Sequence, residues 1–245
     1  MKKVLLLAGV AMAMSAALVA PSQAAPYFFD DFESGFGAWT VGVGSGLTWT
    51  DDVTDPSNKV VVQGQTAASN YVVFSAPLHV GLTFSWRFYD PGAATNVRHY
   101  LQIRSYVDAP SFTGLQELLA LGSYNSGGVS TSQYSGRSAF GGANWFTHDA
   151  ARSAGWHDMS IVITGGEGTG GAGKGLASYI VDGVAVDNVA FTWKEFNMIV
   201  VGSGLSSALP GDYQYDDIKV VPEPASLIAL GAGLVSMVGL ARRRR

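Results

Sequence analysis

The sequence predicts an all-β fold, an antiparallel β-sandwich, from three observations. Short segments rich in Val, Ile, Tyr, Phe and Trp alternate with clusters of Gly, Ser, Asn and Asp through the middle of the chain, a pattern typical of sandwiches and barrels. Helical periodicity is scarce, and only LQELLALGSYN, residues 115–125, fits a helix and a strand equally well. The 31 glycines indicate many tight turns and flexible loops.

The chain opens with an export signal. Lys2 and Lys3 precede a long run of Ala, Leu, Val and Met, and Ser22-Gln23-Ala24 then offers small residues at the positions that a signal peptidase reads. We therefore expect residues 1–24 to be a signal peptide cleaved after Ala24 by signal peptidase. The alternative is an uncleaved N-terminal anchor. In both cases the rest of the protein leaves the cytoplasm.

Residues 25–221 have about the length of one large all-β domain and are predicted to form a single β-sandwich. The two ends hold six of the 15 basic residues and one of the 19 acidic residues, which leaves nine basic and 18 acidic residues in the domain, a net charge of −9. Such a field repels phosphate backbones, so no nucleic-acid partner is expected.

The chain contains no cysteine. A protein in an oxidising compartment that lacks disulfides must be held together by its own core, with a bound metal as the one available aid. Thiolate nucleophiles and cysteine zinc sites are excluded.

A glycine-rich stretch, residues 165–175, imitates a phosphate-binding loop. GGEGTGGAGKG contains the spacing GxGxxG, and residues 168–174 read as GxxxxGK. However, Gly175 stands where a phosphate loop needs a Ser or Thr for magnesium, and the following LASYIVDG is strand-like rather than helical. We interpret the stretch as a connection between two strands and expect no nucleotide.

A second apolar segment closes the chain. Pro222, Glu223 and Pro224 are predicted to stay extended and exposed, outside sheet and helix, because proline lacks an N–H and fixes its φ angle. Residues 225–241 are uncharged and span about 26 Å as a helix, just enough to cross a membrane. The chain ends in a cationic cluster that consists of Arg242, Arg243, Arg244 and Arg245. Positive charge is held in the cytoplasm, so the domain is expected to face outward.

The order of these C-terminal elements, residues 222–245, resembles the PEP-CTERM sorting signal of Gram-negative bacteria. The resemblance implies processing by an exosortase, a multipass membrane enzyme that cuts near the Pro-Glu-Pro motif and releases or transfers its substrate to the cell surface. Proteins of this kind occur in bacteria that make exopolysaccharide. The protein would then be anchored transiently in the inner membrane and later be extracellular or on the cell surface. A permanent single-span anchor is the alternative.

The domain itself resembles the concanavalin A-like, laminin-G-like jelly roll. The resemblance is carried by FFDDFESGFGAWTV near its start, by RSAGWHDMSIVI followed by ASYIVDGVAV in its middle, and by YQYDDIKVV near its end. In this region Asp182-Gly183 is a hairpin signal, because alternating apolar residues flank it on both sides. We expect Trp156 to fill the core beside that hairpin.

The resemblance also implies a structural calcium. In related jelly rolls the first and last strands lie side by side, and a calcium ion often joins them. Asp31, Glu33 and Asp217 would supply its carboxylate ligands here, with backbone carbonyls completing the shell. The alternative is that these are solvated acids at strand ends. No other cofactor is expected.

Catalytic motifs are missing from the sequence. Glucanases of this fold use an E-x-D-x-E strand, in which alternate carboxylates share one face, and no such pattern occurs. Glu117 is the isolated glutamate that we would test first, with a solvated or hydrogen-bonded carboxylate as the alternative. His148-Asp149 and His157-Asp158 are neighbours along the chain and so point to opposite faces of a strand. We interpret these histidines as structural and assign no catalytic residue.

Two predicted strands, FSWRFY and HYLQIRSYV, alternate polar and apolar residues, which would place one set of side chains on an exposed sheet face. Aromatic rings on such a face stack on sugars. The candidate glycan face consists of Arg87, Tyr89, Arg98, Tyr100, Gln102 and Arg104, and a plain solvated face is the alternative.

These observations together predict an exported, exosortase-sorted protein of the cell surface or extracellular matrix that is not an enzyme and binds exopolysaccharide. The alternatives are a divergent glycan-cleaving enzyme of the same fold and a purely structural surface protein.

Mass spectrometry of the mature protein tests the assignment of the two ends. The N-terminus is expected at Ala25, and the C-terminus between Pro222 and Pro224, because the exosortase cuts near that motif. A mature chain that still ends at Arg245 would mean a lasting anchor instead.

Overall fold

A computed structural model describes residues 26–78, 81–92, 97–124, 129–141, 144–206 and 212–222. These residues form fifteen strands in two antiparallel sheets and contain no α-helix, so the predicted all-β sandwich is confirmed. The predicted signal peptide, and all of the sorting signal except Pro222, lie outside the described residues. Within the described ranges no helix is long and apolar enough to cross a membrane.

Sheet A has the strand order β13-β12-β11-β6-β15-β4-β3, with β1 paired to β15 outside that path. Its strands are β1 (Phe28–Asp30), β3 (Thr48–Asp51), β4 (Lys59–Gln63), β6 (Leu82–Asp90), β11 (Gly155–Gly165), β12 (Lys174–Val181), β13 (Val184–Thr192) and β15 (Tyr213–Pro222). The first and last strands are therefore side by side, as the jelly-roll resemblance implies, with Phe28 opposite Val220.

Sheet B has the strand order β10-β9-β8-β7-β14-β5-β2. Its strands are β2 (Thr40–Val43), β5 (Ser69–Leu78), β7 (Arg98–Asp108), β8 (Thr113–Tyr124), β9 (Gln133–Ser138), β10 (Asn144–Ala151) and β14 (Phe196–Val201). The segment that fits a helix and a strand equally well in the sequence is thus a strand, β8. In this sandwich its apolar side chains are shared between the core and a second apolar cluster on the outside of the sheet.

The main core lies between the sheets and follows the two-residue period of the strands. In β6 the even-numbered residues from Leu82 to Phe88 are buried, whereas Arg87 and Tyr89 alternate with them on the outer side. The paired strand β11 does the same, with Met159 and Ile161 in the core. The alternation visible in the sequence therefore gives the inward and outward sides of these strands correctly.

The two predicted connections around β12 are confirmed. The glycine-rich stretch joins β11 to β12, and no helix follows it. Asp182 and Gly183 form the two-residue turn between β12 and β13, with φ angles of 49° and 79°, so that Val181 pairs with Val184. Positive φ at both central positions is what a tight hairpin turn requires, and an Asp-Gly pair tolerates it best.

A buried ion pair joins the sheets at one end of the core. Asp90, at the end of β6, receives two hydrogen bonds from Arg152, at 2.8 Å from Nε and 3.0 Å from Nη2. Ser123 of sheet B donates to the same carboxylate at 3.2 Å, and Arg152 donates to the hydroxyl of Tyr213 in sheet A at 3.0 Å. Asp90 is completely buried, so its charge depends on these partners.

The prediction from the sequence that Trp156 fills the core is wrong. The inward positions of β11 are the odd-numbered ones, so Trp156 lies half-buried on the outer side of sheet A. There its Nε1 donates to Asp52 at 3.2 Å and to Thr54 at 3.1 Å, and the guanidinium of Arg87 lies 4.5 Å from the ring centre. The neighbouring strand β6 does supply a core tryptophan, Trp86, which is opposite Met159.

The prediction that the Pro-Glu-Pro motif stays out of the sheet is wrong for its first residue. Pro222 is the last residue of β15 and pairs with Leu82 of β6. Proline is tolerated there because a strand end can lose one N–H donor without interrupting the ladder. Glu223 and Pro224 lie outside the described residues.

The stability of the domain should depend on pH through His99. Burial, with the charge of Arg152 as a second cause, lowers the pKa of His99 to about 3. An unfolded histidine titrates near pH 6.5. The contribution of neutral His99 is therefore complete above about pH 6.5 and is lost as the pH falls towards about 3, by about 1.4 kcal/mol per pH unit.

Denaturant unfolding from pH 7 to pH 4, on the domain and on His99→Phe, measures this effect. The variant cannot take up this proton on unfolding, so its unfolding free energy should fall less steeply with decreasing pH. Equal slopes for the two proteins would contradict the assignment.

Candidate functional site

The residues predicted to form one glycan face lie in two different sheets. Arg87 and Tyr89 belong to β6 of sheet A, whereas Tyr100, Gln102 and Arg104 belong to β7 of sheet B. Both sets point away from the core, so the two sets are on opposite sides of the sandwich. The prediction of a single face is therefore wrong, although each set does point away from the main core. The predicted exposure is also wrong for Tyr100 and Gln102, which are buried on the outer side of sheet B.

The outer side of sheet B, which we call the sheet B face, carries the larger set of aromatic and cationic residues. Beneath it Leu101, Ile103, Leu119 and Leu121 belong to the main core, whereas the outward residues form two separate apolar clusters. The side chains on this face include Tyr71, Arg98, Tyr100, Gln102, Arg104, Tyr106, Leu118, Tyr124, Arg137, Trp145, Met198 and Val200.

Three rings form an aromatic platform on the sheet B face: Tyr100, Tyr124 and Trp145. Tyr124 and Trp145 stack in parallel, with ring centres 3.9 Å apart, and Tyr100 meets Trp145 edge-on at 5.0 Å. Gly122 makes this approach feasible, because a Cβ at that position would lie 2.7 Å from Cβ of Tyr100. Trp145 and Tyr124 are only half-buried, so part of the platform faces solvent.

A cleft of about 350 Å³ lies elsewhere on the same face, where β7, β14, β5 and β2 are neighbours. Two aromatic rings line it, those of Tyr71 and Phe112, with centres 4.8 Å apart. Arg104 and the hydroxyl-bearing Ser69 and Ser203 supply its polar groups. The cleft, the arginine and the platform thus share one side of one sheet.

The guanidinium of Arg104 is held in place by neutral acceptors. Its Nε and Nη2 donate to Oε1 of Gln102 at 3.0 and 2.6 Å, and its Nη1 donates to the hydroxyl of Tyr106 at 3.0 Å. Gln102 is fixed in turn, because its Nε2 donates to the carbonyl of Gly202 at 3.2 Å. The positive charge of Arg104 is therefore oriented without any carboxylate partner among the described residues.

The centre of the sheet B face is cationic, whereas the edge strand β10, which carries Trp145, also holds the exposed carboxylate of Asp149. On its four central strands, β7, β8, β9 and β14, the carboxylates are Asp108, at the exposed end of β7, and Glu117, which points into the sandwich. Burial raises the pKa of Tyr100 to about 12, and the nearby charges of Arg137, Arg104 and Arg98 oppose that rise. The positive charges of three arginines are therefore close enough to influence the hydroxyl of Tyr100, at the centre of this face.

Glu117 is a buried structural carboxylate. Its Oε1 accepts from the backbone N–H groups of Leu118 at 2.8 Å and Phe140 at 3.0 Å, and its Oε2 accepts from Thr192 of sheet A at 2.7 Å. The side chain is completely buried, which raises its pKa, and the three hydrogen bonds oppose that rise. The hydrogen-bonded alternative for this glutamate is confirmed, and substrate has no access to it.

The histidines are satisfied by partners other than their neighbouring aspartates, as interpreted from the sequence. Nδ1 of His148 accepts from the N–H of Ala150, so its Nε2 donates to the carbonyl of Tyr179 at 3.0 Å. Nδ1 of His157 lies 2.6 Å from the carboxylate of Asp182, across the hairpin turn. The sequence carries no signal for this second contact, because it depends on the pairing of β11 with β12.

Ser153 beside His157 completes an arrangement that superficially resembles a catalytic triad. The Ser153 hydroxyl lies 3.5 Å from Nε2 of His157. The same Nε2 is closer, at 2.9 Å, to the carbonyl oxygen of Ser153, which can only accept a hydrogen bond. Nε2 therefore carries a proton and cannot take one from the hydroxyl, so the contact fixes the turn rather than activating a nucleophile.

The three predicted calcium ligands do not form one metal-binding group among the described residues, although the pairing of Asp30 with Ile218 places the backbone of Asp31 near that of Asp217. Asp31 accepts from the N–H of Glu33, and Glu33 accepts from the N–H of Lys59 at 2.8 Å. Asp217 lies at the irregularity in β15, beside a different surface depression. Within the described part of the chain, no three His, Asp or Glu side chains form a metal-binding group. The calcium stays a prediction that these contacts do not support.

Comparison with known families identifies the end of the chain. Residues 220–245 match the PEP-CTERM protein-sorting motif. The match implies an exported protein with a C-terminal membrane anchor that an exosortase processes. A search of curated proteins finds no significant match.

Comparison with solved structures identifies the fold of the domain, and three examples reach TM-scores above 0.5. The T. cruzi calreticulin globular domain has a TM-score of 0.54 at 11% identity, covering 84% of this chain and 91% of that one. The Crh5 transglycosylase has a TM-score of 0.51 at 12% identity, and the match covers 80% of this chain and 83% of that one. The alginate lyase vAL-1 from Chlorella virus has a TM-score of 0.51 at 12% identity, and the match covers 76% of this chain and 93% of that one. The resemblance to the concanavalin A-like jelly roll is thereby confirmed as one of fold.

Replacing Glu117 with Gln tests its structural role. A glutamine amide would turn an NH₂ group towards at least one of the three N–H donors, so the variant should lose about 1–3 kcal/mol of unfolding free energy in urea denaturation. The matched control is Glu33→Gln, an exposed position with one backbone partner, which should change stability by less than about 0.5 kcal/mol. If Glu117→Gln kept full stability but abolished release of reducing sugars, Glu117 would be catalytic instead.

Proposed function

We propose that the protein is an exported, exosortase-sorted component of the cell surface or extracellular matrix whose β-sandwich binds polysaccharide without cleaving it. The sheet B face is the binding surface. This proposal replaces the single face predicted from the sequence, and it keeps Tyr100, Gln102 and Arg104 while it excludes Arg87 and Tyr89.

The aromatic platform is the observation that carries the proposal. Tyr124 and Trp145 stack in parallel and are partly open to solvent, and Tyr100 supports them from the side. Aromatic rings present broad apolar surfaces to the C–H faces of sugars, and their rigidity costs little conformational entropy on binding. Aromatic residues also fill the main core, but these three lie outside it.

The non-enzymatic part of the proposal is supported by the carboxylates near the binding surface. Glycosidases place two carboxyl groups on either side of the scissile bond, about 5 to 10 Å apart. The central strands of sheet B carry Asp108, at a strand end, and Glu117, which is buried on the other side of the sheet. The strand of Trp145 adds one exposed carboxylate, Asp149, four residues away from the ring. Neither arrangement brackets a sugar bound on the platform.

The comparisons agree with a glycan-related role without specifying it. Two of the three structures above are named as a transglycosylase and an alginate lyase, and the third is the globular domain of a calreticulin. The sorting signal supports a final position at the cell surface, where the domain can meet polysaccharides. A carbohydrate-cleaving enzyme is the second candidate, favoured by the enzyme names among these neighbours.

Removing the ring of Trp145 should abolish most polysaccharide binding. The purified domain and Trp145→Ala can be compared on an array of bacterial and plant polysaccharides, with affinities then measured in solution. Loss of one stacked ring should weaken binding about tenfold or more, since each 1.4 kcal/mol corresponds to a factor of ten. Trp156→Ala is the matched control, because it removes a half-buried tryptophan from the opposite side of the sandwich.

Equal binding by Trp145→Ala and the unmodified domain would place the surface elsewhere. A domain that binds no polysaccharide would leave the purely structural role, and release of reducing sugars from a bound polymer would favour the enzyme.

A further inference from the structure

We propose that the sheet B face selects acidic polysaccharides, whose uronate carboxylates pair with Arg104 and Arg137. The inference rests on the proposed function, because it specifies the class of glycan for the same surface. It is carried by two guanidinium groups that lie beside the aromatic residues and have no carboxylate partner within the described parts of the chain.

Arg104 is prepared for an anion. Three of its N–H donors are used by Gln102 and Tyr106, which fix the plane of the guanidinium without neutralising it. Arginine has five such donors, so two remain for a ligand. Since Arg104 also lines the cleft with Tyr71 and Phe112, these donors lie beside a space that a sugar ring can enter. A carboxylate is the group that matches a planar pair of donors best.

Arg137 provides the second cation. Its guanidinium lies 5.3 Å from the ring centre of Trp145, so it lies beside the aromatic platform. Its Nε is buried and has no hydrogen-bond partner, and no ion pair to a described carboxylate compensates its charge. A buried N–H donor without a hydrogen bond lowers the stability of the unliganded domain. Because this Nε is shielded from solvent, a bound carboxylate would pair with the part of the half-buried Arg137 side chain that is open to solvent.

The two arginines are correctly spaced for one polymer. Gln102 is opposite Ala120, and Ala120 is opposite Arg137, so Arg137 lies two strands away from β7. Arg104 is two residues beyond Gln102 on the same side of the sheet. With strands about 4.8 Å apart and a rise of about 3.4 Å per residue, their Cα atoms are on the order of 12 Å apart. A chain of several sugars that crosses the strands can contact both arginines and the platform.

The charge distribution of the domain strengthens the selectivity. The domain as a whole is strongly acidic, with twice as many acidic as basic residues, and an acidic polymer is repelled from most of its surface. On the outer side of sheet A the cation Arg87 faces a carboxylate, that of Asp216 at 3.8 Å. On sheet B, Arg104 and Arg137 have no such partner among the described residues. Association with an acidic polymer is therefore directed to one face.

The test compares polymers that differ only in charge. Alginate, polygalacturonate and hyaluronan, each with its carboxyl-reduced neutral form, are titrated with the purified domain at low and at physiological salt. At least one acidic polymer should bind about tenfold or more tightly than its reduced form, and salt should weaken only the acidic one. This comparison uses the unmodified domain, so it does not depend on the folding of any variant.

Arg104→Gln and Arg137→Gln then locate the charge. Each should weaken binding of the acidic polymer about tenfold and weaken binding of the reduced form distinctly less, because only the acidic polymer loses a charge partner. Lys219→Gln is the matched control, because Lys219 lies over the ring of Phe29 on sheet A, as Arg137 lies over Trp145. A melting curve for each variant separates lost binding from lost folding.

The outcomes separate the two proposals. Equal binding of acidic and reduced polymers would overturn the acidic selectivity and leave the glycan-binding function in place. Binding of neither form of any polymer would overturn both. Charge-dependent binding that Lys219→Gln weakens as much as the arginine variants would show general attraction, and would overturn the assignment to the sheet B face.

Discussion

The buried pair of Asp90 and Arg152 is the interaction on which the arrangement of the two sheets depends. The carboxylate ends a strand of sheet A, receives a hydrogen bond from Ser123 of sheet B, and through Arg152 is connected to Tyr213 of the last strand. Losing one partner of such a pair typically costs about 3–5 kcal/mol, because the other charge remains buried and uncompensated. The domain has no disulfides, so this ion pair and its hydrogen bonds hold the two sheets together where many exported proteins use a disulfide.

The pair also agrees with the side of β6 that faces outward. Asp90 must point inward to meet Arg152, and the two-residue period then turns Arg87 and Tyr89 outward. Glu117 acts similarly from sheet B, because it must point inward to accept the N–H of Thr192 in sheet A. Its position determines that Leu118 and the residues that alternate with it line the sheet B face. Two buried carboxylates thus maintain the surface on which the proposed function depends.

The two outer sides of the sandwich differ in how their charges are compensated. On sheet A, Arg87 lies between the ring of Trp156 and the carboxylate of Asp216, so its charge is satisfied within the protein. On sheet B, Arg104 and Arg137 are oriented by an amide, a phenol and an indole ring, which leave their charges available. An arginine held by neutral groups is a ready partner for an anion, and this difference favours one side of the domain as the binding surface.

Much of the fold was predictable from local patterns, because strands and tight turns depend on residues that are close in sequence. The alternation in β6 and β7 gave the outward side of each strand, and Asp182-Gly183 gave the hairpin. The placement of Trp156 failed for a local reason as well, because it has the wrong parity for the core. The grouping of Arg87 with Arg104 failed for a different reason, since no local pattern states to which sheet a strand belongs.

The sequence by itself determined the sorting motif at the C-terminus and the all-β class, because these depend on contiguous residues or on composition. The export signal at the N-terminus stays a prediction. Only the tertiary structure decided that Tyr100, Tyr124 and Trp145 come together, that Arg104 and Arg137 share their face, and that Glu117 is buried. These contacts join strands that are distant along the chain, and the pairing order of a sandwich is set by the packing of two whole sheets rather than by any one segment.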